Sequence, residues 1–200
     1  MIPKYLWLVF LVGLLLIGHI QSQHCTSENA SFRRVTRENM RLLSNLSNSF
    51  PLQCLSDIND FRLPQNVLSN SQLAERGIKE VAYEISIQVF SVFSRHTSDS
   101  IWNEEFLTQI QSGLSEQTEY LKQCLEEEEN ENEEMTTHET EHPGAQVIQQ
   151  SKLALRSYFQ RIENYLRDKK YYYCAWKIVE VEIKRCFSYF LKFIELLRGN

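Results

Sequence analysis

The chain has 200 residues, 42% hydrophobic and 24% charged, with three Trp, nine Tyr and eleven Phe. That excludes a wholly disordered chain and fits one domain, or two small ones, with a sizeable core; six dispersed Gly without a G-X-Y period exclude collagen. The net charge of −5 hides an uneven distribution: residues 126–141 hold nine Asp/Glu and no Lys/Arg, whereas residues 152–198 hold eleven basic and five acidic residues.

Met1–Gln23 carries one early charge, Lys4, and then the apolar run Leu6–Ile17. Twelve such residues suit a signal-peptide core and are too few to span about 30 Å of hydrocarbon. No polar stop-transfer pattern follows, so removal of residues 1–22 after Ser22 is expected, leaving a secreted, soluble, single domain over 23–200. No stable membrane insertion is expected.

No Pro occurs between residues 65 and 142 or between 144 and 200, which favours helices over a turn-rich β chain. Phe32, Val35, Leu42, Leu43 and Leu46 recur at three- and four-residue spacing and predict a helix over 32–46, with Arg34, Arg37 and Arg41 on its other side. From Asn48 to Gln72 the periodicity disappears among Pro51, Pro64 and six Asn/Asp, a length unusual for a loop unless it is functional or a long crossover. Ile78, Val81, Ala82, Ile85, Val89 and Phe93 predict a second helix over 73–94. Phe106, Leu107, Ile110, Leu114, Leu121 and Leu125 predict a third over 101–125. The short His96–Ser100 break makes those two antiparallel neighbours.

The acidic run 126–144, ending at Pro143-Gly144, reads as a solvated loop. Leu155, Phe159, Ile162 and Leu166 predict a helix over 147–167, and the last and most hydrophobic segment is Cys174–Leu197. Within it Val179–Lys184 alternates strictly, as a half-buried strand would. The longer window decides for helix: Trp176, Val179, Ile183, Cys186, Phe190, Ile194 and Leu197 fall within about 60° of Ile183 on a helical wheel. The fold class is therefore all-α, without a β-sheet. On the same wheel Val181 lies about 160° from the core stripe, beside Arg185, Ser188 and Lys192, with Ile178 and Tyr189 at the edge. An outward Val among basic residues has the composition of an interface.

Five cysteines follow the leader: Cys25, Cys54, Cys124, Cys174 and Cys186. In an oxidising compartment two disulfides and one leftover thiol are expected, in any of fifteen arrangements. No C-x2-C or C-x4-C spacing exists, so zinc ribbons are excluded. Cys186 has no His nearby to activate it and belongs to the buried stripe.

His138-Glu139-Thr140-Glu141-His142 matches H-E-x-x-H literally, but it lies in the acidic run with no apolar stripe to present both rings, and no third His is near. A secreted zinc hydrolase is the most distant reading. No nucleotide-binding or hydrolase fingerprint is present, and neither an enzyme activity nor a cofactor is expected; nor is a nucleic-acid partner. Asn29-Ala30-Ser31 and Asn45-Leu46-Ser47 are glycosylation sequons. Arg34, Arg37 and Arg41 with Lys184, Arg185 and Lys192 form a basic set that suits heparin-like glycans.

Five helices, a leader and a long first crossover describe a helical cytokine. The segments Cys174-Ala175-Trp176-Lys177-Ile178-Val179-Glu180-Val181-Glu182-Ile183-Lys184-Arg185 and Leu153-Ala154-Leu155-Arg156-Ser157-Tyr158-Phe159-Gln160-Arg161-Ile162 resemble the last two helices of type I interferons. Cys54-Leu55 followed by Asp60-Phe61-Arg62-Leu63-Pro64-Gln65 resembles that family's first loop, and Phe90–Ser94 with Trp102 its middle. The match runs from Cys25 to about Leu197; the acidic stretch Gln123–Glu133 and Cys186 resemble one branch of the family.

The resemblance implies an up-up-down-down five-helix bundle, a monomer, and the pairings Cys25–Cys124 and Cys54–Cys174. It also implies two receptor chains, engaged on opposite faces. By matching position Leu55, Val181, Lys184, Arg185 and Tyr189 would meet the high-affinity chain, and Arg156 and Gln160 the low-affinity one. A basic residue of the family's first-loop contact is Ile58 here, which implies weaker high-affinity binding. The runner-up is another four-helix cytokine or hormone acting on a different receptor.

Overall fold

A computed structural model describes residues 29–45, 50–69, 73–95, 101–135 and 144–195. The expected leader, Cys25, Leu46, Leu197 and the His138–His142 motif lie outside them. Five long helices account for most of the rest: α1 (Asn29–Asn45), α2 (Glu75–Arg95), α3 (Glu104–Met135), α4 (Ala145–Asp168) and α5 (Tyr173–Glu195). No strand occurs among the described residues.

Helices α2 and α5 bury the stripes that their spacing predicts. Ile78, Val81, Ala82, Ile85, Val89 and Phe93 of α2 are all buried, as are Trp176, Val179, Ile183, Cys186, Phe190 and Ile194 of α5. Asn103 starts α3 by accepting the backbone N–H of Phe106 on its side-chain oxygen at 2.8 Å, the role of a helix N-cap. At the end of α4 the chain turns without glycine: Lys170 and Tyr171 take φ 50° and 54°, and the Tyr171 N–H closes on Leu166 O at 2.9 Å. Aromatic rings tie the elements together where Trp102 sits 4.7 Å from Phe93 and 4.9 Å from Trp176.

Cross-helix pairs fix the directions. Lys79 near the start of α2 pairs with Glu128 late in α3, while Gln111 early in α3 donates to Phe93 O at the end of α2; these helices are antiparallel. Phe32 meets Tyr120, and Asn39 meets Gln117 and Gly113, so α1 also opposes α3. Lys152–Glu80, Arg156–Glu84 and Ser91–Glu163 repeat one offset of 72 residues, so α2 and α4 are parallel. A four-residue turn and the Tyr158–Glu182 bond make α5 antiparallel to α4. Helices α1, α2, α3 and α5 thus run up, up, down and down, with α4 alongside α2.

Three expectations change. The segment 126–144 is not loop from Glu126: α3 continues to Met135. Glu is a good helix former, Glu126 lies within 3.8 Å of Lys122, and Glu128 is held by Lys79 and Arg76 of α2. Charge count misread a helical face as a loop. In α1 the buried side is Phe32, Thr36, Asn39 and Leu43, with Val35 and Leu42 only half-buried, because α1 meets α3 through a polar contact, Asn39 Nδ2 to Gln117 Oε1 at 3.1 Å. Within 48–72 the described part holds a 3-10 helix, Leu52–Asp57, and one α-turn, Gln65–Leu68.

That crossover is fastened at many points. Cys54 is bonded to Cys174 at the start of α5, Cα–Cα 5.1 Å across 120 residues. Arg161 of α4 donates from Nε to Phe61 O at 2.9 Å and from Nη2 to Arg62 O at 3.2 Å. The Tyr165 hydroxyl donates to Asp57 O at 2.8 Å, and Lys169 Nζ to Asp57 Oδ1 at 2.9 Å. Burial pushes the Tyr165 hydroxyl up to about 12, so it stays a donor. Phe61, Leu63, Val67 and Leu68 are buried beneath.

Two outcomes test this framework. Replacing Cys54 and Cys174 together by Ser should lower unfolding free energy by about 3–5 kcal/mol, since a closed loop of this length restricts the unfolded chain strongly. A loss below about 1 kcal/mol in denaturant titration would assign the closure to the hydrogen bonds instead. At Gly113 an added Cβ would collide with Asn39 Oδ1, forcing apart a buried amide pair. Gly113→Ala should therefore destabilise by about 1–3 kcal/mol despite its better helix propensity, and the loss should vanish in an Asn39→Ala background.

Candidate functional site

A 3-10 helix has three residues per turn, so positions three apart eclipse. In Leu52–Asp57 and the residue that follows, this lines up Leu52, Leu55 and Ile58 on one edge, 80%, 50% and 64% exposed, while Cys54 points inward to its disulfide. Beside this apolar ridge stands the outer side of α5. Val181 is 47% exposed there, as the wheel predicts. Ile58, Asn59, Asp60 and Phe61 from the crossover and Ile178, Val181, Glu182 and Arg185 from α5 line one open groove of about 480 Å3. Ile58 and Val181 thus line the same groove, and Ile58, read from the sequence only as a missing charge, continues the apolar ridge of Leu52 and Leu55.

The charges on this face differ from the expected free basic set. Lys184 Nζ and Lys177 Nζ each lie 3.0 Å from the carboxylate of Glu180, which is buried and also receives Trp102 Nε1–H at 3.4 Å. Arg185 Nη1 lies 3.2 Å from Glu182 Oε2, and Glu182, also buried, accepts the Tyr158 hydroxyl at 3.0 Å. Tyr189 is half-buried, with Lys192 Nζ 5.7 Å from its ring centre. Ile178, expected at the exposed edge, is buried against the groove floor. On α1, Arg41 pairs with Glu38 and Arg37 approaches Glu195. The heparin-suited set is thus largely matched by carboxylates, which no helical wheel of one segment shows.

Crossover charges reinforce the clamp. Hydrogen bonds from Tyr172 and Lys169 hold the Asp57 carboxyl below the usual carboxylate range. Burial pushes the Cys186 thiol up to about 12, so this free cysteine is a core group and no nucleophile. Among the described residues no group of three or more His, Cys, Asp and Glu is placed to hold a metal ion, and no helix is long and apolar enough to cross a membrane.

The other predicted residues lie on α4. Arg156 is exposed and makes a two-pronged contact with buried Glu84 of α2, at 2.8 and 2.7 Å, and Gln160 is exposed and bonds Asn164 at 3.1 Å. Exposed Leu153 and Val147 share their helix. Asn45 is exposed at the end of α1, and Asn29 begins that helix. Cys124 is disulfide-bonded; its expected partner, Cys25, is outside the described residues.

The sequence profile of the Interferon alpha/beta domain matches residues 28–197. Interferon kappa of Homo sapiens is 50% identical over 201 residues, covering 99% of this chain and 96% of that protein. Interferon kappa of Mus musculus is 41% identical over 198 residues, covering 99% and 94%. Among solved structures, zebrafish interferon 2 superposes with a TM-score of 0.64 at 21% identity, over 80% of this chain and 97% of that one, a likeness of fold. The helical bundle, the bridged crossover and relatives matched along nearly the whole chain agree: the protein belongs to the interferon alpha/beta family, cytokines rather than enzymes.

Proposed function

We propose that this protein is a secreted, monomeric cytokine that brings together the two chains of the type I interferon receptor, starting JAK-STAT signalling and antiviral and immune gene expression. The observation that carries this is the groove shared by the crossover and α5. Its two walls come from segments far apart in sequence, and the Cys54–Cys174 bond holds them side by side before any partner arrives. Pre-ordering a loop removes entropy that binding would otherwise have to overcome.

In this reading the high-affinity chain meets Leu55, Ile58, Val181, Lys184, Arg185 and Tyr189, and the low-affinity chain meets α4 around Arg156 and Gln160. Leader removal after Ser22 precedes secretion, and Asn29 and Asn45 carry glycans. Heparin-like glycans are secondary partners through exposed Arg34 and Lys192.

The direct test is reporter induction in cells with both receptor chains and in cells lacking either one. Induction should require both, and activity that survives loss of either chain overturns the proposal. Arg185→Ala should weaken binding to the high-affinity ectodomain about tenfold or more, as loss of a central charged anchor does. Conversely, Ile58→Arg should tighten it by about tenfold, restoring a charge-assisted contact; unchanged or weaker affinity would show that the apolar ridge already suits its partner.

A further inference from the structure

We infer that Tyr158 and Glu182 are positioning residues that set the guanidinium of Arg185 for docking, so that a fully buried hydroxyl on α4 tunes the affinity of a surface on α5.

Arg185 carries the only guanidinium among the residues that line the groove, and its side chain is 39% exposed. A long side chain at such a place samples several rotamers, and each must be given up when a partner docks. Here Nη1 lies 3.4 and 3.2 Å from the two oxygens of Glu182, one turn back on the same helix. Glu182 is itself nearly fully buried and is fixed from the other side: Tyr158 on α4 donates its hydroxyl to Oε1 at 3.0 Å. Tyr158 is 0% exposed. Burial first, then the nearby Cys186 and Glu182, pushes its hydroxyl far above the ordinary tyrosine value, so it remains a donor throughout the working pH range. The chain of contacts runs from a core hydroxyl through a carboxylate to a half-exposed cation, with each link limiting the next.

Geometry favours positioning over a merely structural role. Arg185 and Glu182 lie one turn apart on the same helix, so their pair joins no two elements of the fold, and the Arg185 head stays part-exposed. What the buried Tyr158 adds is orientation, because it leaves Glu182 one arrangement from which to receive Arg185.

This inference rests on the assignment of the high-affinity receptor chain to this face, and a double-mutant cycle separates the two. The folded mature protein, its Tyr158→Phe and Arg185→Ala variants and the double variant are titrated against the immobilised high-affinity ectodomain. Tyr158→Phe should bind about three- to tenfold more weakly, Arg185→Ala more weakly still, and Tyr158→Phe should add no further loss when Arg185 is already Ala. The isosteric Glu182→Gln should reproduce the Tyr158→Phe loss, with circular dichroism confirming that each variant is folded. An equal Tyr158→Phe loss in both backgrounds would make Tyr158 structural and overturn the inference, as would no loss at all. No loss in Arg185→Ala alone would sink the docking assignment itself.

Discussion

Helices α1 and α2 run in the same direction, so the chain between them has to travel back along the bundle before α2 can begin. A return of that kind, left to itself, is a long surface loop with little to hold it. The bond between Cys54 and Cys174 changes its character, because it joins the middle of the return to the first turn of α5. Once that point is fixed, Asp57 comes within reach of Tyr165 and Lys169, and the carbonyls of Phe61 and Arg62 come within reach of Arg161. Arg62 takes φ 54° there, a backbone state that a non-glycine residue keeps when its surroundings determine it. The 3-10 helix with its eclipsed apolar edge is displayed only because its other side is tied down.

Charge pairing does a different job on the opposite flank. Lys152–Glu80 and Arg156–Glu84 share one register between α2 and α4, and a one-turn slip would break both together. Exposed ion pairs add little stability, yet Glu84 is buried, and a buried carboxylate stripped of its partner is strongly unfavourable. Arg156 therefore has a packing role in addition to any role at the surface.

How much of this could be read from the chain alone depends on the range of each interaction. The α5 stripe from Trp176 to Ile194 was legible because apolar periodicity is a property of consecutive residues, and the outward position of Val181 follows from the same wheel. Cys54–Cys174 was open among fifteen arrangements until the family resemblance selected it. Burial of Glu180 and Glu182 was not legible, since Trp102 and Tyr158 reach them from 78 and 24 residues away. A wheel puts Glu180 at the edge of the buried stripe and Glu182 about 100° from Ile183 but shows no partner from another segment, and so overstates the free charge of Lys184 and Arg185. Likewise the Asn39–Gln117 contact puts a polar residue where α1 was expected to present only apolar ones. The Glu run after Leu125 misled because its neutralising partners, Lys79 and Arg76, belong to another helix.

That same extension of α3 crowds carboxylates at one tip of the bundle. Since α2 and α3 are antiparallel, Glu126–Glu129 sit at the end where α2 begins, and Glu128 is answered there by Lys79 and Arg76. Glu126 and Glu129 are exposed, whereas the Lys79 side chain is only 6% exposed. Added salt therefore screens the mutual repulsion of the outer glutamates more than it weakens the sheltered Lys79–Glu128 pair. The tip is held more firmly as ionic strength rises, the reverse of what an ordinary surface ion pair shows.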